Sequence, residues 1–528
     1  MDGRSSAQWG RRHKQPQASS LVPALVLAIA LTAALVAYAW LGVSSSVPSA
    51  YMDEIFHIPQ AKKYCQGRFT EWDPMITTLP GLYLASYILL APWIAIVGAD
   101  AACTVASLRA VNLFFALANG ALIFLCLRLA SQARHALVPR AIQLARTGDK
   151  ESDDEDEPST PSSSSLHVSS EHSSASSHAD PTRRRFLAIQ TLGISLFPLL
   201  FFFDFLYYTD GGSLCFVLLC YALALRESSL SSALAGACAV LLRQSNIVWV
   251  AFAAAVMLAQ RVAVNVPRRA YSESPIAVTQ AAVRVVRANL KVYIRLSLPY
   301  VLVGLLFLAF IVWNGSIVVG DKTHHQSRVH AVQVFYFALF ALVFSWPVLL
   351  QFSLLDARQL VRRWQHDSML RHFLRVTLVL GACVAGLWTV HHFTFAHDYL
   401  LSDNRHYTFY IWRRWYMRYE WGKYLLVPAY LAAFWFMWRR LRNDGNSLVW
   451  IALWAGATSL TIVPAPLIEF RYFVVPFMLY RLHLRPTLQE AVMEVLFFAL
   501  VNAITLYLFL SRSFEWPSEP GVPQRFMW

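Results

Sequence analysis

An uncharged, apolar run from Leu21 to Val43 sets the first constraint on this chain. A bilayer crossing takes about 20 apolar residues, and the apolar core of a cleaved signal peptide only about 7–15, so this run reads as a retained anchor. Arg11, Arg12, His13 and Lys14 precede it. Residues 1–20 are therefore expected as a basic cytosolic tail, with the chain after Val43 on the far side of the membrane. What emerges there is YMDEIFHIPQAKKYCQGRFTEWDPMITTLPGLY, residues 51–83, which sets Asp53, Glu54, His57 and Asp73 among aromatics. Acidic groups beside a lipid interface suit chemistry on a polar, lipid-borne substrate.

Charged residues make up 14% of the chain and hydrophobic residues 57%. Soluble domains average roughly 25% charged residues, so the expectation is an all-α polytopic membrane protein. A net charge of +14 does not imply a nucleic-acid partner. The basic residues cluster in short segments between apolar runs, where positive-inside topology accounts for them, and no basic groove or nucleic-acid motif is present. The seven cysteines form no CxxC pair. Most sit in apolar runs and read as small core residues; Cys65, in the 51–83 segment, is the exception.

Residues 131–185 are basic at both ends and acidic and serine-rich at the centre (KESDDEDEPSTPSSSS). Such a composition cannot bury enough apolar area to fold, and its flanking arginines place it in the cytosol as a disordered insertion. Two apolar runs, 82–97 and 110–130, separate it from the 51–83 segment, yet only an odd number of crossings fits. The shorter run contains Pro92 and is expected as a juxtamembrane or re-entrant helix, leaving 110–130 to cross. The domains are then 21–130, the insertion 131–185, and a bundle from 186 to 528. Crossings are expected at Phe186–Leu206, 212–225, 231–242, Ile247–Leu258, Leu296–Trp313, Val334–Leu350, Val376–Val390 and Leu425–Trp438, with two or three more after them. The total is about 12 to 14, with loops 314–333 and 391–423 on the side of Asp53.

Six segments carry a resemblance: 51–83, LYYTD at 206–210, RQSNIVW at 243–249, GDKTHHQSRVHAVQVFY at 320–336, FTFAHDYLLSDNRHYTFYIWRR at 393–414 and EFRYFVVP at 469–476. In this order they resemble the endoplasmic-reticulum family that adds the terminal α-1,2-linked glucose to the lipid-linked oligosaccharide. The resemblance implies a GT-C-type bundle with lumenal loop helices. It also implies dolichyl phosphate glucose as donor, a diglucosylated dolichyl-diphosphate oligosaccharide as acceptor, membrane lipid around both, and a lumenal site in a multi-pass endoplasmic-reticulum protein. All six segments fall at lumenal helix ends or loops, and polar groups gathered on one side of a bundle mark a site.

Transfer from a glycosyl phosphate to a hydroxyl needs a base, positive groups for the departing phosphate, and exclusion of water. The family's donor is β-linked and its product α-linked, so a single inverting displacement with one base suffices. By position after the first helix, the resemblance implies Asp53 as that base, with Glu54 and Asp73 as alternatives. Lys322, Arg243, Arg405, Arg413, Arg414 and Arg471 are the cations available for the phosphate or lipid, although Arg471 could instead pair with Glu469. His57, Trp72, Tyr208, Asp210, His325, His330, Asp403, His406 and Trp412 are candidates to hold sugar or acceptor. No His spacing matches a zinc pattern, and a monophosphate donor needs no bridging cation, so no metal or other cofactor is expected. A related transferase for another sugar or acceptor, and a multispanning transporter or lipid-binding protein, are the competing readings. Transporters favour midplane charges and inverted repeats, and no internal repeat is evident.

Overall fold

Apolar side chains that point outward reveal what surrounds this bundle. Helix Leu290–Asn314 bares Leu298, Leu305, Leu306 and Trp313, and helix Met369–Phe393 bares Leu370, Leu378 and Val384. A water-soluble monomer does not leave such continuous apolar faces uncovered. The structure, a computed structural model, describes residues 22–137, 181–267, 269–270, 274–322, 328–366 and 368–528. Among them, Val26–Ser46, Val105–Gln132, Asn246–Asn265, Leu290–Asn314, Met369–Phe393 and Leu488–Ser511 are long and apolar enough to cross a membrane. Shorter apolar helices are Gly81–Val97, Asp210–Leu225, Ser229–Leu242, Gln333–Leu349 and Leu448–Ile462. The chain is thus a mostly helical polytopic membrane protein. The tail 1–20 and the acidic centre of the insertion lie outside the described residues; the insertion's flanks belong to helices Val105–Leu137 and Pro181–Ser195.

Two sequence expectations are revised. The single crossing expected over Phe186–Leu206 is broken: helix Pro181–Ser195 ends, and Pro198–Phe203 begins a new one. Proline lacks the N–H that a continuous helix would use and is tolerated at a helix start. The break puts Phe197 at the centre of an aromatic cluster, stacked 4.5 Å from Phe477 and edge-on to Phe344 and Phe498. The all-α expectation also omits a C-terminal hairpin, in which strand Ser513–Trp516 pairs antiparallel with Glu519–Arg525. Alternating side chains around WPSEPG favour a turn over a further helix.

Close backbone approaches fix the loops. At Gly81 a Cβ would lie 2.5 Å from the Leu241 carbonyl oxygen, so helix Gly81–Val97 can start against the end of helix Ser229–Leu242 only with glycine there. At Gly320 a Cβ would lie 2.1 Å from the Pro74 oxygen. The amides of Val319, Gly320 and Asp321 donate to the carbonyls of Thr77, Ile76 and Pro74, tying the GDKTHH loop to the 51–83 segment.

A disulfide joins Cys65 to Cys103 across 38 residues. It corrects the reading of the cysteines for Cys103, which has a partner and does not merely fill space. Closing a loop of that length stabilises by about 4 kcal/mol on the chain-entropy account. Cys65→Ser is expected to lower the melting temperature of the detergent-solubilised protein and to let Cys103 react with maleimide on denaturation without reductant. Wild-type Cys65 and Cys103 that both label without reductant would overturn the pairing.

Candidate active site

The turn that ends the first helix is shaped by a carboxylate with no exposure at all. Glu54 opens helix Glu54–Cys65, and all four of its strong donors are protein groups. Arg109 Nε donates to Oε1 at 2.9 Å and Nη2 to Oε2 at 2.5 Å; the amides of Tyr207 and Tyr51 donate to Oε1 and Oε2 at 2.7 and 3.0 Å. Arg109 is itself fully buried and also donates to the carbonyls of Val47 and Ser49. The Glu54 carboxylate is consequently saturated with protein donors, an obstacle to its expected alternative role as base. Beside it, Met52 is held at φ 55, a left-handed conformation that side chains seldom adopt. This strained turn is what swings the next side chain, Asp53, the other way.

Asp53 is partly open, and its Oδ2 accepts from Arg471 Nη1 at 3.0 Å. Its own amide donates to the Tyr208 hydroxyl at 3.3 Å. Burial pushes the Asp53 carboxyl up, but attraction from Arg471, together with its hydrogen bond, outweighs it and holds the group below its usual range. Asp53 is an ionised carboxylate. Arg471 Nη2 meets Glu469 Oε2 at 2.9 Å, and the guanidinium lies over the rings of Tyr208 and Phe203. Burial alone would lower the Arg471 pKa; Glu469 and Asp53 more than offset it, so the cation is secure. The expected choice between a site partner and a Glu469 pair for Arg471 is therefore no choice, since it makes both.

Two more arginines converge. The antiparallel hairpin of Asp210–Leu225 and Ser229–Leu242 brings its open ends together, and Arg243 donates to Asp210 Oδ2 at 2.9 Å and to Thr209 Oγ1 at 3.0 Å. Arg405 grips Asp403 at 2.7 and 2.9 Å and lies over the Trp516 ring. A cavity of about 320 Å³ is lined by Asp53, Asp403, Arg405, His406, Glu469 and Arg471. A second, of about 310 Å³, is lined by Asp210, Arg243, Asn246 and Tyr472. Arg471 and Tyr399 line both and so stand at the partition. An apolar groove of about 530 Å³ shares Leu400, Thr408, Ile468, Phe470 and Trp528 with the first cavity.

Other expected site residues sit elsewhere. His57 lies behind Asp53 with Nδ1 2.5 Å from the Tyr83 hydroxyl; burial drives its pKa down to about 4, so it is neutral. Trp72 packs edge-on to the Tyr83 ring, and Asp73 accepts from the Met75 amide. His330 is buried, stacked on Phe395 and facing the Pro466 carbonyl, with its pKa lowered by burial to about 4. Lys322 is exposed and donates to the Asn314 carbonyl. Arg413 and Arg414 are exposed over the rings of Phe409 and Tyr410, away from the cavity. Trp412 stacks on Tyr416 in the apolar groove. His325 lies outside the described residues. Sequence reasoning missed Arg109, although a charge inside an apolar run signals a partner; it also missed Trp528, for which no local signal exists.

Removing one partner of a buried ion pair costs about 3–5 kcal/mol. Glu54→Gln is therefore expected to lower the melting temperature sharply, whereas Asp53→Asn should leave it near wild type. Equal melting temperatures for Glu54→Gln and wild type would contradict the structural reading of Glu54.

Comparison with known proteins places the chain in a family. A family model described as the DIE2/ALG10 family matches residues 47–482, which include every cavity residue named above except Trp528. A human protein named Dol-P-Glc:Glc(2)Man(9)GlcNAc(2)-PP-Dol alpha-1,2-glucosyltransferase is 37% identical over 504 residues, covering 92% of this chain and 94% of its own length. Proteins of the same name from Arabidopsis thaliana and Drosophila melanogaster are each 33% identical, covering 92% and 90% of this chain and 96% and 93% of their own. No solved structure matches. With a match across most of its length and relatives above 30% identity over nine-tenths of it, the chain belongs to the DIE2/ALG10 family.

Proposed function

We propose that this chain transfers glucose from dolichyl phosphate glucose to the diglucosylated oligosaccharide carried on dolichyl diphosphate, closing the terminal α-1,2 bond in N-glycan precursor assembly. The carrying observation is an ionised Asp53, held by Arg471 in a polar cavity that shares a wall with an apolar groove. That combination suits a substrate with a charged head and an isoprenoid tail. The groove takes the dolichyl chain, the Asp53 cavity the glucosyl phosphate, and the cavity beyond Arg471 the acceptor sugars.

Asp53 takes the proton from the attacking hydroxyl as that oxygen bonds to the glucose anomeric carbon. The bond from that carbon to the phosphate oxygen breaks with its electron pair, releasing dolichyl phosphate. Arg471 and Arg405 receive the added negative charge. Arg471 also links the two events. As charge grows on the phosphate, its attraction for Asp53 weakens, and the carboxylate becomes more basic while the proton arrives. Asp73 and Glu54 have no part in this proton transfer, and Arg413, Arg414 and Lys322 do not touch the phosphate. The arginines supply the positive charge, so the reaction runs without a metal.

The site faces the endoplasmic-reticulum lumen, which is oxidising and suits the Cys65–Cys103 pair. With both cysteines on that side, helix Gly81–Val97 begins and ends there and does not cross, as the loop count requires. Residues 524–528 contact Tyr51 and residues 405–407 and so share the side of Asp53. An odd number of crossings follows from a cytosolic start to the first helix, and thirteen falls within the expected range for a GT-C-type bundle.

Purified protein in detergent with EDTA, given dolichyl phosphate glucose and a lipid-linked oligosaccharide ending in two glucoses, should add one α-1,2-linked glucose. Asp53→Asn should lower turnover by about 10²-fold or more, as loss of a positioned base does. No product from folded wild type, or full turnover in Asp53→Asn, would overturn the assignment of the reaction or of the base respectively.

A further inference from the structure

The last residues of the chain are built into the site. Tyr51, one residue from the strained turn, both donates to the Arg525 carbonyl at 2.9 Å and accepts from its amide at 2.8 Å. Arg525 in turn donates to the carbonyls of Phe509 and Leu510, pinning the hairpin to the end of helix Leu488–Ser511. The Met527 amide donates to the Arg405 carbonyl, and the Tyr407 amide donates to the Met527 carbonyl. His406 Nδ1 lies 2.8 Å from the Trp528 carbonyl oxygen. These bonds run alongside the Asp403–Arg405 pair, so the backbone that carries one of the phosphate-side arginines is laid against the C-terminal strand.

Trp528 stands where the two environments meet. Its side chain lines both the Asp53 cavity and the apolar groove. It packs on Tyr407 at 5.0 Å, Phe344 at 6.0 Å and Phe470 at 6.3 Å. Its indole N–H is buried and, among the described residues, has no acceptor. A buried donor without an acceptor is costly and calls for an explanation. An aromatic body with a polar handle is the side chain that suits a boundary between wet and apolar surroundings.

We propose that Trp528 is a specificity-determining residue for the lipid donor, packing on the first isoprenoid unit and giving its N–H to a phosphate oxygen. This rests on the reading of the site as one for a glycosyl phosphate with an isoprenoid tail. The C-terminal strand then does two things: it holds the backbone of Arg405, and it closes the donor site at the junction of head and tail. A substrate with the same head and no tail would gain the N–H contact but not the packing.

Three quantities test this in one preparation: KM for dolichyl phosphate glucose, KM for its short-chain citronellyl counterpart, and KM for the acceptor. Truncating a well-packed aromatic anchor commonly costs a factor of ten or more. Trp528→Ala is expected to raise KM about tenfold for both the dolichyl and the citronellyl donor, which carry the same first isoprenoid unit, and to leave acceptor KM unchanged. Trp528→Phe should recover most of the loss. Unchanged donor KM, or equal losses for both donors and the acceptor, would overturn the proposal. Should Trp528→Ala fail to fold, hydrogen exchange on wild type decides: saturating dolichyl phosphate should slow exchange in residues 524–528, and no slowing would refute the contact. Because dolichyl phosphate binding is read apart from transfer, an enzyme that binds it and moves no glucose would count against the proposed reaction and not against Trp528.

Discussion

One buried ion pair arranges everything near Asp53. Glu54 and Arg109 are both removed from water, a costly state unless every charge and hydrogen is met. Here the two carboxylate oxygens take four donors, and the guanidinium also reaches two carbonyls at the end of the first helix. The pair thereby joins the first helix, the second, helix Val105–Leu137 and the backbone at Tyr207. Tyr208, next in the chain, can then support both the Asp53 amide and the Arg471 guanidinium. On the proposed reading, the geometry at the base is inherited from a neighbour whose part is structural.

From that fixed point, the site is a set of carboxylate–arginine pairs that are each incomplete. Asp53 and Glu469 share Arg471, Asp403 holds Arg405, and Asp210 holds Arg243. Paired charges are held in place before any substrate arrives, which is the condition for electrostatic stabilisation without reorganisation. They also remain available, because a phosphate can take a share of an arginine that a carboxylate already orients. On the proposed reading, the apolar groove and Trp528 add what the charges cannot, a surface for an isoprenoid chain.

Much of this was legible in the sequence, for identifiable reasons. The spans announce themselves by apolar length, and the polar segments between them cluster on one side, so Asp53, Arg471, Asp210 and Arg243 were all marked. Glu54 was not separable from Asp53, because adjacent acids carry the same chemistry and only tertiary donors decide which one is neutralised. Arg413 and Arg414 looked equal to Arg405, but a helical turn over Phe409 and Tyr410 faces them outward. The break before Pro198 was hidden inside a continuous apolar run. Trp528 lies more than 50 residues beyond the last polar segment that was marked, and nothing local foretells that a terminal strand returns to the site.

The most direct measurement concerns the partnership of Asp53 with Arg471. Attraction from Arg471 opposes the upward push of burial on the Asp53 carboxyl, so removing the guanidinium must raise that pKa. In the proposed reaction Asp53 acts as an ionised base, and the acid limb of kcat should therefore move to higher pH in Arg471→Gln than in wild type, whatever happens to the maximal rate. An acid limb at the same pH in both proteins would mean that Asp53 is not the group whose ionisation governs transfer.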